Sequence, residues 1–135
     1  MGTIITPEVS KRNQYYIPKH RYYELKHFCM QYKTWKKILA DMNNYPKQIL
    51  HTDNIKSKDY INHQIEDREI YLNRIAIIDK AVIEADPILG QYVLTGILLN
   101  ISYDVLCTRV RVPCCKEVYY KTYRKFFYLL DKSRD

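Results

Sequence analysis

The side chains best suited to recognise another molecule lie near the C-terminal end of the sequence, between residues 109 and 125. On a helical wheel, at about 100° per residue, one side of the segment that follows Pro113 collects amines, a guanidinium, a phenol and a single carboxyl group. Such groups bind phosphate oxygens and the edges of bases, so the chemistry they predict is recognition and not bond-making. The residues of this predicted outer face are Lys116, Glu117, Tyr120, Lys121 and Arg124.

The other side of the same segment is apolar at three- and four-residue steps, which predicts a helix over residues 113–131 with that side turned toward the protein. Proline fixes φ and has no N–H to donate, so Pro113 suits the first turn of this helix and disfavours helix at Val112. The predicted inner residues are Cys115, Val118, Tyr119, Thr122, Phe126, Leu129 and Leu130.

A short helix is predicted immediately before that break, over residues 103–108. The Ser102 hydroxyl can accept from the free N–H groups of its first turn, where Asp104 also suits the helix dipole. A short helix, a brief turn and a longer helix with a polar outer face are the parts of a helix-turn-helix, whose second helix enters the DNA major groove. A helical hairpin with a merely solvated polar side is the alternative. Predicted phosphate contacts are Arg109 and Arg111 in the turn and Lys125 on the second helix.

The segments before residue 86 are predicted to form an N-terminal arm and a helical bundle. Residues 1–17 lack helical periodicity and are predicted to be extended. Helical patterns follow over residues 18–30 and 35–42, as two helices or as one bent helix. The arm could be held against the first helix by Tyr15, Tyr16 and Ile17, or lie on nucleic acid through Lys11 and Arg12.

The longest predicted helix covers about residues 57–85. Its apolar stripe is broad, but Arg68 and Asp79 stand where a seven-residue repeat would place apolar side chains. These interruptions count against an obligate coiled-coil dimer, so we expect the helix to pack within the bundle. The predicted stripe contains Ile61, Ile65, Leu72, Ile75 and Val82.

Proline at position 87 separates the long helix from a support helix that reaches about Leu99. Within that helix, Gly96 would permit a neighbouring element to approach closely. The support helix and the two helices after it make a predicted three-helix head over residues 86–135.

Composition favours a helical protein with an anionic partner. The 135 residues fit one ordinary domain, and 3 Gly and 5 Pro are too few for a turn-rich all-β chain. Lys and Arg number 22 against 15 acidic residues, so the net charge of +7 favours polyanions without specifying a sequence. The longest apolar run is too short to cross a bilayer and no signal-peptide core follows the N-terminus, which predicts a cytoplasmic protein without a membrane partner.

Catalytic and metal-binding patterns are missing from the sequence. The cysteines have no CxxC spacing, so we predict reduced thiols, with Cys107 and Cys115 as small core residues. His20, Glu24 and His27 share a helix face, a pattern that could also indicate a metal clip or an acid-base pair, and we predict that this face is solvated. Residues 51–53 are polar but lack a recognisable nucleophile, and no phosphate-binding loop or nucleophile elbow is present. The sequence therefore predicts a protein that is not an enzyme and that uses no cofactor or metal.

One family pattern is present near the C-terminus, in Ser102-Tyr103-Asp104-x-Leu106 and in the run from Val112-Pro113-Cys114-Cys115 to Leu130. About the last 45 residues resemble small phage and prophage regulators of the RinA and ArpU type, whose helix-turn-helix is like region 4 of sigma factors. The resemblance implies transcription control of late or mobile-element genes. The turn over residues 109–112 departs from that pattern because it has no glycine. The resemblance matches the outer positions of the recognition helix to Lys116, Glu117, Tyr120, Lys121 and Arg124.

The sequence thus predicts an all-α protein: an arm (1–17), a helical region (18–85) and a helix-turn-helix head (86–135). We expect a sequence-specific DNA-binding transcription regulator of phage or mobile-element origin, with double-stranded DNA as partner and RNA polymerase or another host protein as a further candidate. One alternative is an accessory or anti-defence protein that binds a host protein through a basic, Tyr-rich surface. Another is an assembly protein that forms large oligomers. The sequence does not specify the oligomeric state.

Overall fold

A computed structural model describes residues 14–44 and 55–134, and the regular structure in these ranges is α-helical. The all-α prediction is confirmed. Lys11, Arg12 and residues 51–53, to which the sequence assigned possible roles, lie outside the described residues. Among the residues that are described, no helix combines the length and apolar character needed to cross a membrane. The helices are α1 (Lys19–Met30), α2 (Tyr32–Asn44), α3 (Ile55–Ala85), α4 (Leu89–Leu99), α5 (Tyr103–Arg109) and α6 (Lys116–Ser133).

Contacts between residues divide the chain into two compact units, one formed by residues 1–30 and 77–135 and the other by residues 31–76. This division differs from the predicted boundary at residue 85. The reason is that α1 packs on α4 and α6, so the first helix belongs with the C-terminal helices. Sequence periodicity identifies a helix's apolar side but not the element that covers it.

The core of the first unit is aromatic. The hydroxyl groups of Tyr22 on α1 and Tyr123 on α6 lie 2.6 Å apart and share a buried hydrogen bond. Ile17 is buried ahead of α1, and the Tyr15 ring lies 5.5 Å from the Tyr128 ring of α6. The described residues just before α1 are therefore held partly by the last helix. The largest buried side chains of α6 are Tyr119, Tyr120, Tyr123, Phe126, Phe127 and Leu130.

Helix α4 begins and ends with recognisable local signals. The Asp86 carboxylate accepts hydrogen bonds from the backbone N–H groups of Ile88 and Leu89, both at 2.8 Å. These bonds hold the pKa of that carboxyl group below its usual range. At the other end, Asn100 adopts a left-handed conformation with φ of 54°, and its N–H donates to Ile97. Asparagine tolerates this conformation and is a common helix terminator.

The second unit contains α2 and the part of α3 up to residue 76. Trp35 is buried, and the Arg74 guanidinium lies over its ring at 5.5 Å from the ring centre. Ile75 is buried as predicted, but Ile65 and Leu72 are 52% and 46% exposed. The prediction that the whole α3 stripe enters a core was therefore wrong, because no described element covers Ile65 or Leu72.

Candidate nucleic-acid interface

The two helices of the predicted DNA-binding hairpin, α5 and α6, are both present, but the segment between them is longer than expected. Ser102 caps α5 as predicted, since its hydroxyl accepts from the Val105 N–H at 3.4 Å. Helix α6 begins at Lys116 rather than at Pro113, so residues 110–115 separate the helices. That start was predicted wrongly because Cys115 has extended backbone at the N-cap. The Tyr103 hydroxyl also donates to the Cys114 carbonyl at 2.6 Å, which ties the segment down outside the helix.

An open depression of about 580 Å³ lies on the N-terminal half of α6. Of the residues around it, Lys116, Glu117 and Lys121 are exposed and Arg124 is half-buried. Three cationic groups and one carboxylate thus share a single concave surface. The lining consists of the five residues predicted for the outer face, Lys116, Glu117, Tyr120, Lys121 and Arg124.

Tyr120 is the member of this set whose predicted environment was wrong. Its side chain is only 2% exposed, and its hydroxyl accepts a hydrogen bond from the Tyr103 backbone N–H at 3.1 Å. That N–H is one of the first in α5 and has no acceptor within its own helix. Tyr120 therefore anchors the start of α5 to α6, while its ring edge borders the depression. A helical wheel could not reveal an orphan donor on another helix.

The buried side of α6 is rotated from the predicted one. Val118 and Cys115, which were predicted to face inward, are exposed, and Tyr123 and Phe127, which were not, are buried. A tyrosine carries an apolar ring with a polar tip, so its burial depends on whether the tip finds a partner. For Tyr123 the partner is on α1, far away in the sequence.

The charges near the depression are unequally compensated. The Lys116 ammonium lies 3.2 Å from the Asp104 carboxylate, so its charge is partly neutralised by an ion pair between α6 and α5. Within the described ranges, neither Lys121 nor Arg124 forms an ion pair, and both side chains line the depression. These two residues are the strongest candidates for contacting an anion.

The predicted phosphate-contact residues lie outside the depression. Arg109 and Arg111 are exposed at the end of α5 and in the following segment. Lys125 is half-buried, and its charge is a minor contributor to the lowered pKa of Asp86, after the backbone N–H groups of Leu89 and Ile88. The structure thus does not gather these three cations and the depression into one pocket.

The cysteines do not form a metal site in the described part of the chain, where no group of three or more His, Cys, Asp or Glu side chains could hold an ion. Cys29 is the buried cysteine, and burial raises the pKa of its thiol. Cys107 and Cys115 are exposed, so the prediction that they are core residues was wrong. A hydrogen bond with the Cys107 thiol is the main reason that the pKa of Tyr103 rises to about 12.

The candidate interface is therefore a cationic depression on one helix face, supported from beneath by buried aromatic rings. Lys121 and Arg124 provide its uncompensated charge, Lys116 is partly paired, and Tyr120 is structural. No protein-family model matches the chain, and neither curated proteins nor solved structures include a significant match to it.

Proposed function

We propose that the protein binds double-stranded DNA through the outer face of α6 and acts as a transcription regulator of phage or mobile-element origin. The observation that carries this proposal is the depression on α6, which is lined by exposed Lys121 and half-buried Arg124, neither of which forms an ion pair within the described residues. An α-helix with side chains of this type fits the width of the DNA major groove. The resemblance of the C-terminal sequence to RinA- and ArpU-type regulators adds the role in transcription.

Binding would combine a general attraction with a smaller specific component. The net charge of +7 attracts any polyanion, and exposed Arg109 and Arg111 would neutralise backbone phosphates. Arg124 presents a planar guanidinium that can make two parallel hydrogen bonds to a guanine edge. Tyr120 would contribute indirectly, because its hydroxyl holds α5 against α6.

The rival proposal, a host-protein-binding surface rich in tyrosine, has less support. Four of the tyrosines that could have served as anchors are core residues: Tyr22, Tyr119, Tyr120 and Tyr123 are each at most 4% exposed, although other tyrosines, such as Tyr23, remain at the surface. Burial removes these four rings from any such surface, and tyrosine is one of the residue types that most often dominate protein interfaces.

The experiment that tests DNA binding is selection of bound duplexes from a random pool, followed by anisotropy titrations of the selected site. Arg124→Ala should weaken binding by about 1–3 kcal/mol and relax the preference at one position, as loss of a base contact does. Lys121→Ala should reduce the slope of log affinity against log salt by about 1 if the lysine contacts a phosphate.

Lys132→Ala is the matched control, because it removes one charge from the same helix at its far end, where the ammonium lies over the Tyr128 ring. This variant should leave the site preference unchanged. Enrichment of no motif from the pool, or equal affinity of Arg124→Ala and the unmodified protein, would remove α6 from the role of recognition helix.

A further inference from the structure

An uncovered row of apolar side chains runs along α3. Ile65, Leu72 and Ile83 are 52%, 46% and 57% exposed, and Ala76 between them is also exposed. At 3.6 residues per turn these positions fall within about 40° of one another and extend over about 27 Å of helix. Apolar side chains aligned on one helix face are a candidate interaction surface, whereas isolated exposed apolar residues are ordinary.

We propose that this row is the contact between two copies of the chain, whose α3 helices pack antiparallel about a two-fold axis near residue 74. The row is symmetric about that position: Ile65 and Ile83 lie nine residues from it on either side, and Leu72 and Ala76 lie two. An antiparallel pair therefore places Ile65 against the partner's Ile83 and Leu72 against the partner's Ala76. Opposing a large side chain to a small one fills the interface evenly. A two-fold contact uses the same patch on both copies, as this symmetry requires.

The charges beside the row match the same arrangement. Arg68 and Asp79 flank it on one side, and Glu69 and Lys80 flank it on the other. A two-fold axis perpendicular to the helices brings each flank of one α3 against the same flank of the partner's α3. Arg68 then faces the partner's Asp79, and Glu69 faces the partner's Lys80, each within one residue of the register that the apolar row sets.

This arrangement also explains why charged residues interrupt the seven-residue pattern of α3. In a parallel coiled coil, Arg68 and Asp79 would occupy core positions. In the antiparallel pair they lie beside the apolar row and face each other. Lys80 already lies 3.8 Å from Glu84 on its own helix, and both side chains are exposed enough to rearrange when the second copy binds.

The first test measures the dimer dissociation constant by sedimentation over about 1–200 µM protein. Leu72→Glu buries a charge against the partner's Ala76 and should raise the dissociation constant at least about tenfold. Ile70→Glu is the matched control, because Ile70 is equally exposed, at 46%, but points about 140° away from the row. Circular dichroism on each variant verifies that α3 remains helical.

The second test uses charge reversal at exposed positions. Glu69→Lys and Lys80→Glu should each weaken the dimer about fivefold, since two like-charged pairs form per dimer. Combining both reversals in one chain should restore the dimer, and so should mixing the two single variants. A parallel pair would behave oppositely, because Glu69 would then face Arg68 and the double reversal would create repulsion.

A protein that stays monomeric throughout this concentration range would overturn the proposal. A dimer that tolerates Leu72→Glu would overturn the α3 contact. A dimer that the double charge reversal fails to restore would overturn its antiparallel direction. If Leu72→Glu loses its helical signal, the charge-reversal variants test the α3 contact instead, because the Glu69 and Lys80 side chains are exposed.

Discussion

Replacing Gly96 by alanine should destabilise the protein through one overlap, with the hydroxyl of Tyr119. A Cβ placed on Gly96 would overlap sterically with that hydroxyl oxygen. Tyr119 is 1% exposed, and its ring lies 5.2 Å and 5.0 Å from the rings of Tyr103 and Tyr120, so it cannot turn away without displacing them. Overpacking costs about 1–3 kcal/mol. This cost exceeds the roughly 0.5–1 kcal/mol that alanine gains over glycine within a helix.

The same geometry predicts that Tyr119→Phe rescues the alanine variant. The Tyr119 hydroxyl is buried without a hydrogen-bond partner in the described structure, so its removal should be neutral or stabilising. The next ring atom, Cζ, lies 3.5 Å from the added Cβ, which is ordinary van der Waals contact. In the Tyr119→Phe background, Gly96→Ala should therefore stabilise the protein by about 0.5–1 kcal/mol. The coupling between the two substitutions should be about 1–3 kcal/mol.

Urea unfolding followed by far-UV circular dichroism, on all four members of this cycle, measures the coupling. Gly90→Ala is the control: a Cβ at Gly90 would lie 2.9 Å from the backbone carbonyl carbon of Val82, and no side-chain truncation relieves a backbone overlap. Gly90→Ala should therefore destabilise equally with and without Tyr119→Phe. If Gly96→Ala loses the same free energy of unfolding in both backgrounds, the overlap with the hydroxyl is not the cause.

Three further predictions concern buried phenols, a helix start and a helix end. Burial raises the pKa values of Tyr22 and Tyr123, so their contribution to stability is complete below the ordinary pKa of 10.0 and is lost as the pH rises above it. Ultraviolet titration should therefore show the absorbance of their phenolates only when the protein also unfolds. Ionisation of either phenol in the folded state would contradict this prediction. Asp86→Ala should lower the free energy of unfolding by about 1 kcal/mol. Because the pKa of Asp86 is lowered from 3.8, urea unfolding should show this difference from the unmodified protein above that pH, and the difference should disappear in acid. The Arg21 guanidinium lies 2.6 Å from the Asp131 carboxylate near the end of α6. Arg21→Ala should therefore lower the free energy of unfolding by about 1 kcal/mol at low salt and by less at high salt. A loss that does not depend on salt would rule out an electrostatic origin.

Helix positions were largely predictable because their signals are local. The Ser102 cap and the Asp86-Pro87 pair lie within a few residues of the helices they delimit, and α3 differs from its predicted start by only about two residues. The start of α6 was not predictable in the same way. Pro113 is compatible with a helical first turn, but the Tyr103 hydroxyl binds the Cys114 carbonyl and holds it outside the helix.

The candidate site was predictable as a set of residue types but not in its three-dimensional detail. The helical wheel brought together the residues that line the depression, because a wheel depends only on the regular helical repeat. It placed Tyr120 outside, since the orphan N–H that Tyr120 binds belongs to another helix. It also placed Val118 inside, because apolar character alone does not guarantee that an element covers the side chain.

The amino-acid sequence by itself determined that the protein is helical, that the described helices break near residues 86 and 101, and that cationic side chains share one face of α6. These properties depend on caps, periodicity and charge, which act over a few residues. Only the tertiary structure decided that α1 joins the C-terminal helices, that Tyr120 and Tyr123 are internal, and that Ile65 and Leu72 of the α3 stripe are uncovered. Those outcomes depend on contacts between residues distant in the chain, because the burial of an amphipathic side chain requires a partner that another element supplies.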